Sequence, residues 1–192
     1  DIDPAQVFQL AEELYADWPA GPNPFEQHPV PAPEPLSDNK ALIVNRPIRT
    51  AAALLQMMGP SVTTDPKATF AADVFSFILQ QPTSVFHKNL IDSGLAVRAS
   101  MGYFTQAHTG PIYMQIVASP DKLKDAVAAL YKEVDQFTNP EYFTDEQLET
   151  AKAMLETSEI FGREKPSDFV HTVSFWWAVA GLDYYDNYVQ NL

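Results

Sequence analysis

The 192-residue chain contains no cysteine. Disulfide frameworks, thiolate nucleophiles and Cys-ligated zinc are therefore excluded, although the absence assigns no redox compartment. Glycine is scarce too, with 7 residues scattered as single turn positions, so no glycine-rich phosphate loop can form. Positive charge is in short supply: 12 Lys and Arg stand against 25 Asp and Glu, a net charge of -13. Nucleic-acid and anionic-membrane surfaces draw their affinity from clustered Lys and Arg, and no such cluster occurs. Neither partner is expected. Long apolar runs are also missing: no segment approaches the roughly 20 apolar residues that span a bilayer, so membrane insertion is not expected.

What is present is a chain 46% hydrophobic, enough to bury a sizeable core. Asp3 and Pro4 form a cap-plus-proline start, and Val7, Leu10, Leu14 and Trp18 recur at helical intervals, predicting a helix over 4–18. Seven prolines then fall between Pro19 and Pro35, which exclude helix and central strand and predict an extended linker over 19–37. This divides the chain into 1–18, the linker, and a domain over 38–192.

Within that domain Ala41–Val44 and the run 49–58 read as strands, the second ended by Gly59-Pro60. Asp65-Pro66 opens a helix with Phe70, Val74, Phe77 and Ile78 on one face, and a shorter helix runs from Ser84 to about Ile91, ended by Gly94. Residues 95–106 and 111–118 read as a hairpin turning through His108-Thr109-Gly110. Three to four helices follow, with a core-facing stripe at Leu123, Val127, Leu130, Val134 and Phe137 and a capping box at Thr144–Gln147. The predicted class is α+β: an antiparallel or mixed sheet covered on one face by helices, preceded by a helix and a proline-rich linker.

Three segments together resemble the C-terminal-type, non-catalytic domain of the pitrilysin/insulinase family of zinc peptidases. They are Met57–Val62 with Asp65-Pro66 and Ala71–Val74; Pro82–Leu90 followed by Gly94-Leu95-Ala96; and Tyr142–Lys152. The resemblance implies a clamshell of related α+β domains around a peptide-binding chamber, with zinc held by an H-x-x-E-H helix in another domain. It makes residues 1–18 the closing helix of a preceding domain and leaves the domain over 38–192 truncated at its C-terminus. It also implies a peptide or unfolded-protein substrate, an upstream catalytic domain or partner half of the same family, and a periplasmic or otherwise exported location, with the cytoplasm as the alternative.

The residues carry no chemistry of their own. An H-x-x-E-H site needs two His one helical turn apart, and His28, His87, His108 and His171 are isolated. No metal site and no catalytic residue is therefore assigned, and zinc is expected only in the parent protein. Some domains of the family lend the chamber an Arg and a Tyr from a stretch resembling L-R-E-x-x-G-L-A-Y, donors suited to stabilising an oxyanion. Here the stretch is Leu90–Val97, one residue shorter, with Ile91 at the Arg position and Val97 at the Tyr position. That departure leaves room for a catalytically inactive partner subunit or scaffold as the alternative function.

Arg98, Tyr103 and His108, on or near the hairpin, are the candidate chamber residues, against the plainer reading of solvent exposure or packing. Ser84 and His87 are three apart but lack an orienting acid. Glu146, Glu149, Glu156 and Glu159 read as a solvated helix face. Phe175–Trp177 and Tyr184-Tyr185 are divided between core and inter-domain contact, because neighbouring aromatics on a helix point different ways.

Overall fold

The computed structural model describes residues 2–31 and 33–192. They divide into two compact units, meeting in sequence at Pro35 and Leu36.

In the first unit Asp3 accepts the Ala5 N–H at 3.0 Å and starts helix α1, Pro4–Tyr15. The helix stops three residues before the predicted end, and none of its residues is buried. A second, four-residue helix, α2, occupies Pro24–Gln27 inside the stretch expected to be purely extended. The reason is local: Asn23 caps the Phe25 N–H at 3.0 Å, and Pro24 sits at the first helical position, where its missing N–H costs nothing.

The second unit holds a three-stranded antiparallel sheet made of β1 (Ala51–Met58), β2 (Arg98–Tyr103) and β3 (Pro111–Ala118), in the order β1-β3-β2. The hairpin β2–β3 forms as predicted. β1 then pairs with the far side of β3, with Ala53 opposite Ile116 and Leu55 opposite Met114. The expected strand at Ala41–Val44 is not formed: the segment is extended but pairs with nothing described, and Leu42 and Ile43 are over four-fifths exposed. Apolar β-propensity makes a strand only where a ladder accepts it.

Asp65 caps α3 (Pro66–Gln80) through the Ala68 N–H, and Phe70, Val74, Ile78 and Leu79 turn inward. Ser84 caps the short helix α4, Val85–His87, which widens into a π turn over Lys88–Asp92 and ends at Gly94, held at φ 75° where a side chain would be strained. Then come α5 (Leu123–Gln136), α6 (Asp145–Gly162), α7 (Pro166–Val179) and α8 (Leu182–Asp186), closed by a 3-10 turn at Val189–Asn191.

Strand alternation gives the sheet two unlike faces. Ala51, Ala53 and Leu55, Met114, Ile116 and Ala118, and Ala99 and Met101 lie on one face, and all but Ala51 join a core cluster that includes Leu79, Phe86, Leu90, Ala126 and Leu130. A second cluster joins α3 to α6 through Val74, Ile78, Ala151 and Leu155. Its placement depends on the start of α6, where Thr144 and Gln147 exchange the two hydrogen bonds of a capping box, at 3.2 and 3.0 Å. Thr144→Ala is expected to lose about 1 kcal/mol of stability, read from the midpoint of urea unfolding, while Thr144→Ser stays close to the parent.

Candidate functional site

The opposite face of the sheet is where the residues sought in the sequence converge or fail to converge. It carries Ala52, Leu54, Gln56 and Met58 from β1, Tyr113, Gln115 and Val117 from β3, and Arg98, Ser100 and Gly102 from β2. Leu54 and Met58 are more than half exposed and share this face with the exposed Tyr113 ring. The Tyr113 ring lies across Gly102 on the neighbouring strand, in the space a side chain there would need. The strand order leaves β1 and β2 at the sheet edges.

Arg98 stands on this open face, exposed, opposite Val117, and makes no ion pair among the described residues. Tyr103, five residues on, points to the helix-covered face; its hydroxyl donates to the Pro60 carbonyl at 2.7 Å. Burial raises that hydroxyl above the usual tyrosine range. His108 is exposed in the loop between β2 and β3. The three candidates therefore occupy three different settings: open face, covered face and loop.

Ile91 and Val97, the residues at the donor positions, part company as well. Ile91 packs against the main core from within the π turn, whereas Val97 is 75% exposed and gives its N–H to the Val117 carbonyl at 2.8 Å. Neither offers a polar side chain to an anion. Ser84 and His87 do not form a nucleophilic pair: the Ser84 hydroxyl, 2% exposed, donates to the Leu79 carbonyl and accepts the His87 backbone N–H at 3.1 Å, so it serves the helix cap. The His87 ring turns instead towards Asp92, at 3.4 Å.

Glu146, Glu149 and Glu156 are exposed on α6, as the periodicity predicts, but Glu159 is half-buried and lies near Asp73 of α3. Burial pushes the Asp73 carboxyl up to about 6; the hydrogen bond it accepts from Tyr188 at 2.8 Å opposes this, and the Glu159 charge adds to it. The aromatic run splits between an inward and an exposed side. Phe175 and Trp176 turn inward, Trp176 stacking on Tyr184, while Trp177 is 72% exposed. Sequence reasoning missed Asp73 because an Asp in mid-helix gives no signal until the distant Tyr188 is brought to it. Among the described residues no group of three or more His, Asp or Glu is placed to hold a metal ion.

The family model described as the peptidase M16 inactive domain matches residues 1–155. A search of curated proteins finds no match. Among solved structures, a protease from Helicobacter pylori is 20% identical with a TM-score of 0.71, and the match covers 100% of this chain and 46% of that one. The peptidase M16 inactive domain from Pseudomonas fluorescens is 18% identical with a TM-score of 0.66, covering 99% of this chain and 45% of that one. The inactive peptidase domain of a candidate zinc protease from Bordetella parapertussis is 18% identical with a TM-score of 0.59, covering 71% and 74%. At these identities the solved structures speak for the fold, and this chain spans less than half the length of the first two. The α+β fold and the resemblance to zinc peptidases of the pitrilysin/insulinase type are thus borne out, and the chain belongs to the peptidase M16 inactive-domain family.

Proposed function

We propose that this domain forms part of the wall of a peptide-binding chamber in a zinc metallopeptidase whose catalytic chemistry resides in an upstream domain. The observation that carries the reading is the open sheet face, with Leu54, Met58, Tyr113 and Arg98 uncovered between two edge strands. An extended peptide laid along such an edge gains main-chain hydrogen bonds that do not depend on its sequence, while the apolar face accommodates alternate side chains. Arg98 supplies a cation for a carbonyl or carboxylate of the bound chain, and His108, in the loop at the other end of β2, offers a separate polar contact farther along it. Tyr103 supports the site from beneath by tying β2 to Pro60.

In this arrangement α1 closes a preceding domain, residues 19–37 cross to the present one, and the protein acts on unfolded polypeptide in an exported compartment. No described helix is long and apolar enough to cross a membrane. The intact parent is expected to cleave an unfolded peptide, to lose activity to a zinc chelator and to regain it with added zinc. The 192-residue chain alone is expected to be inert. Arg98→Ala in the parent should raise KM several-fold with kcat little changed, since it removes binding and not zinc chemistry. Chelator-resistant cleavage, or a parent without an H-x-x-E-H helix, overturns the reading.

Ile91 and Val97 favour a second reading: an inactive half that binds peptides or scaffolds an active subunit. Purified parent without any partner decides between them, because the inactive half cleaves nothing until the active subunit is added.

A further inference from the structure

The C-terminal helices hold to the rest of their unit through an aromatic and polar cluster around one carboxylate, alongside Phe175 against Phe104, Tyr185 beneath Arg163 and Leu192 against the α3–α6 cluster. Tyr184 stacks on Phe70 of α3, with 4.7 Å between ring centres, and on Trp176 of α7 at 5.1 Å. Its hydroxyl shares a 2.6 Å hydrogen bond with Thr69. Tyr188, 6% exposed, donates to Asp73 Oδ2 at 2.8 Å. Beyond this cluster α7 contributes no fully buried residue, and Val170 and Trp177 are mostly exposed.

Asp73 is therefore a partly buried carboxylate with one hydrogen-bond donor and no ion pair among the described residues. The titratable groups that bear on it come from three elements packed around α3: Tyr184 and Tyr188 from the C-terminal turns, Glu159 from α6, and Tyr103 from β2. None of them is a cation. Burial raises both tyrosines, Tyr184 to about 12, so they remain protonated donors wherever the carboxyls titrate. Burial also raises Glu159, against the pull of Arg163.

We propose that Asp73 is a proton-controlled latch, holding residues 166–192 firmly on α3 when its carboxyl is protonated and loosening them when it ionises. The ionised form sits in a partly dry site, faces a second carboxylate and has a single donor to stabilise it; undocking returns it to water. A folded carboxyl at about 6, set against 3.8 for the free group, makes docking tightest below about pH 4. The advantage is lost as pH rises through 6. The opening equilibrium is then about a hundredfold larger at high pH than at low pH, and about tenfold of that falls between pH 5 and pH 8. Glu159 ionises in the same sense and adds to the opening.

Hydrogen exchange followed by mass spectrometry, corrected for the intrinsic pH dependence of exchange, tests this on the 192-residue chain. Protection of residues 182–192 is expected to fall about tenfold from pH 5 to pH 8, with α5 and β3 unchanged. Asp73→Asn, which keeps an acceptor for Tyr188 and cannot ionise, should be more protected than the parent chain already at pH 5 and should change far less than tenfold between the two values, the remainder coming from Glu159. Equal protection of the parent chain at pH 5 and pH 8, or an undiminished tenfold change in the Asn variant, overturns the proposal. Should the Asn variant also lose protection in α5, Tyr188→Phe decides: with its donor removed Asp73 titrates higher, so the midpoint moves up in pH. An unmoved midpoint there rejects the latch.

Discussion

Replacing Glu133 with alanine is expected to lower the unfolding free energy by about 3 kcal/mol, a large share of the stability of an ordinary domain. Glu133 lies on the inward side of α5 and is only 6% exposed. Its carboxylate accepts the Asn89 side-chain N–H at 2.7 Å and the Tyr142 hydroxyl, tying the π turn, α5 and the turn ahead of α6 to one point. Alanine leaves the buried Tyr142 hydroxyl without an acceptor, at about 1–3 kcal/mol, releases the exposed Asn89 to water, and opens a cavity beside them. Burial, followed by its bond to Glu133 and the charge on that carboxylate, holds the Tyr142 hydroxyl far above the ordinary tyrosine range, so it stays a donor at any working pH. Glu133→Gln keeps one acceptor oxygen and should lose less than half as much. Urea unfolding followed by circular dichroism reads both variants, and an alanine variant as stable as the parent would show that this network does not hold the fold together.

The second large effect is expected at Gly110. Here the chain enters β3 pressed against the segment leaving β1: the Gly59 N–H donates to the Gly110 carbonyl at 2.7 Å. A Cβ at Gly110 would overlap the Pro60 carbonyl, which is backbone and cannot swing aside as a side chain would. Gly110→Ala must therefore push apart the point where β1 and β3 begin their ladder, at about 3 kcal/mol, and disturb the Tyr103 bond to Pro60. Gly162 is the control. Nothing lies within 4 Å of the Cβ it lacks, and its φ is not positive, so Gly162→Ala should change stability by less than about 0.5 kcal/mol. If the two alanine variants unfold alike, the close approach at Gly110 is not a constraint.

These two positions mark the limit of what could be read from residues alone. Glycine at 110 was legible as a turn, but the carbonyl it must avoid lies fifty residues earlier. Glu133 occupies a helical position whose residue type argues for solvent, and only the arrival of Asn89 and Tyr142 makes it a buried acceptor. Asp73 and Glu159 follow the same logic, each ordinary in its own helix and unusual once α3, α6 and the C-terminal turns meet.

Local physics did settle much of the rest. The caps at Asp3, Asp65, Ser84 and Thr144, each satisfying N–H groups within its own first turn, start helices where the residue pattern predicts. Period-two alternation in 111–118 produces a strand with unlike faces, and the isolated His residues exclude a helical two-His zinc site by their spacing alone. The same local reading failed where the deciding partner was distant or absent. Ala41–Val44 has strand composition and no ladder, and Asn23-Pro24 made a helical turn inside a proline-rich stretch because a cap outweighs composition over four residues. By itself, then, the sequence determined the α+β class and the kinship, because caps, alternation and the short family-like segments are each carried by a few neighbouring residues. Tertiary structure alone decided that β1 joins β3 from the far side, that Tyr103 turns inward while Arg98 remains free, and that Asp73 meets Tyr188, because each depends on residues brought together from far along the chain.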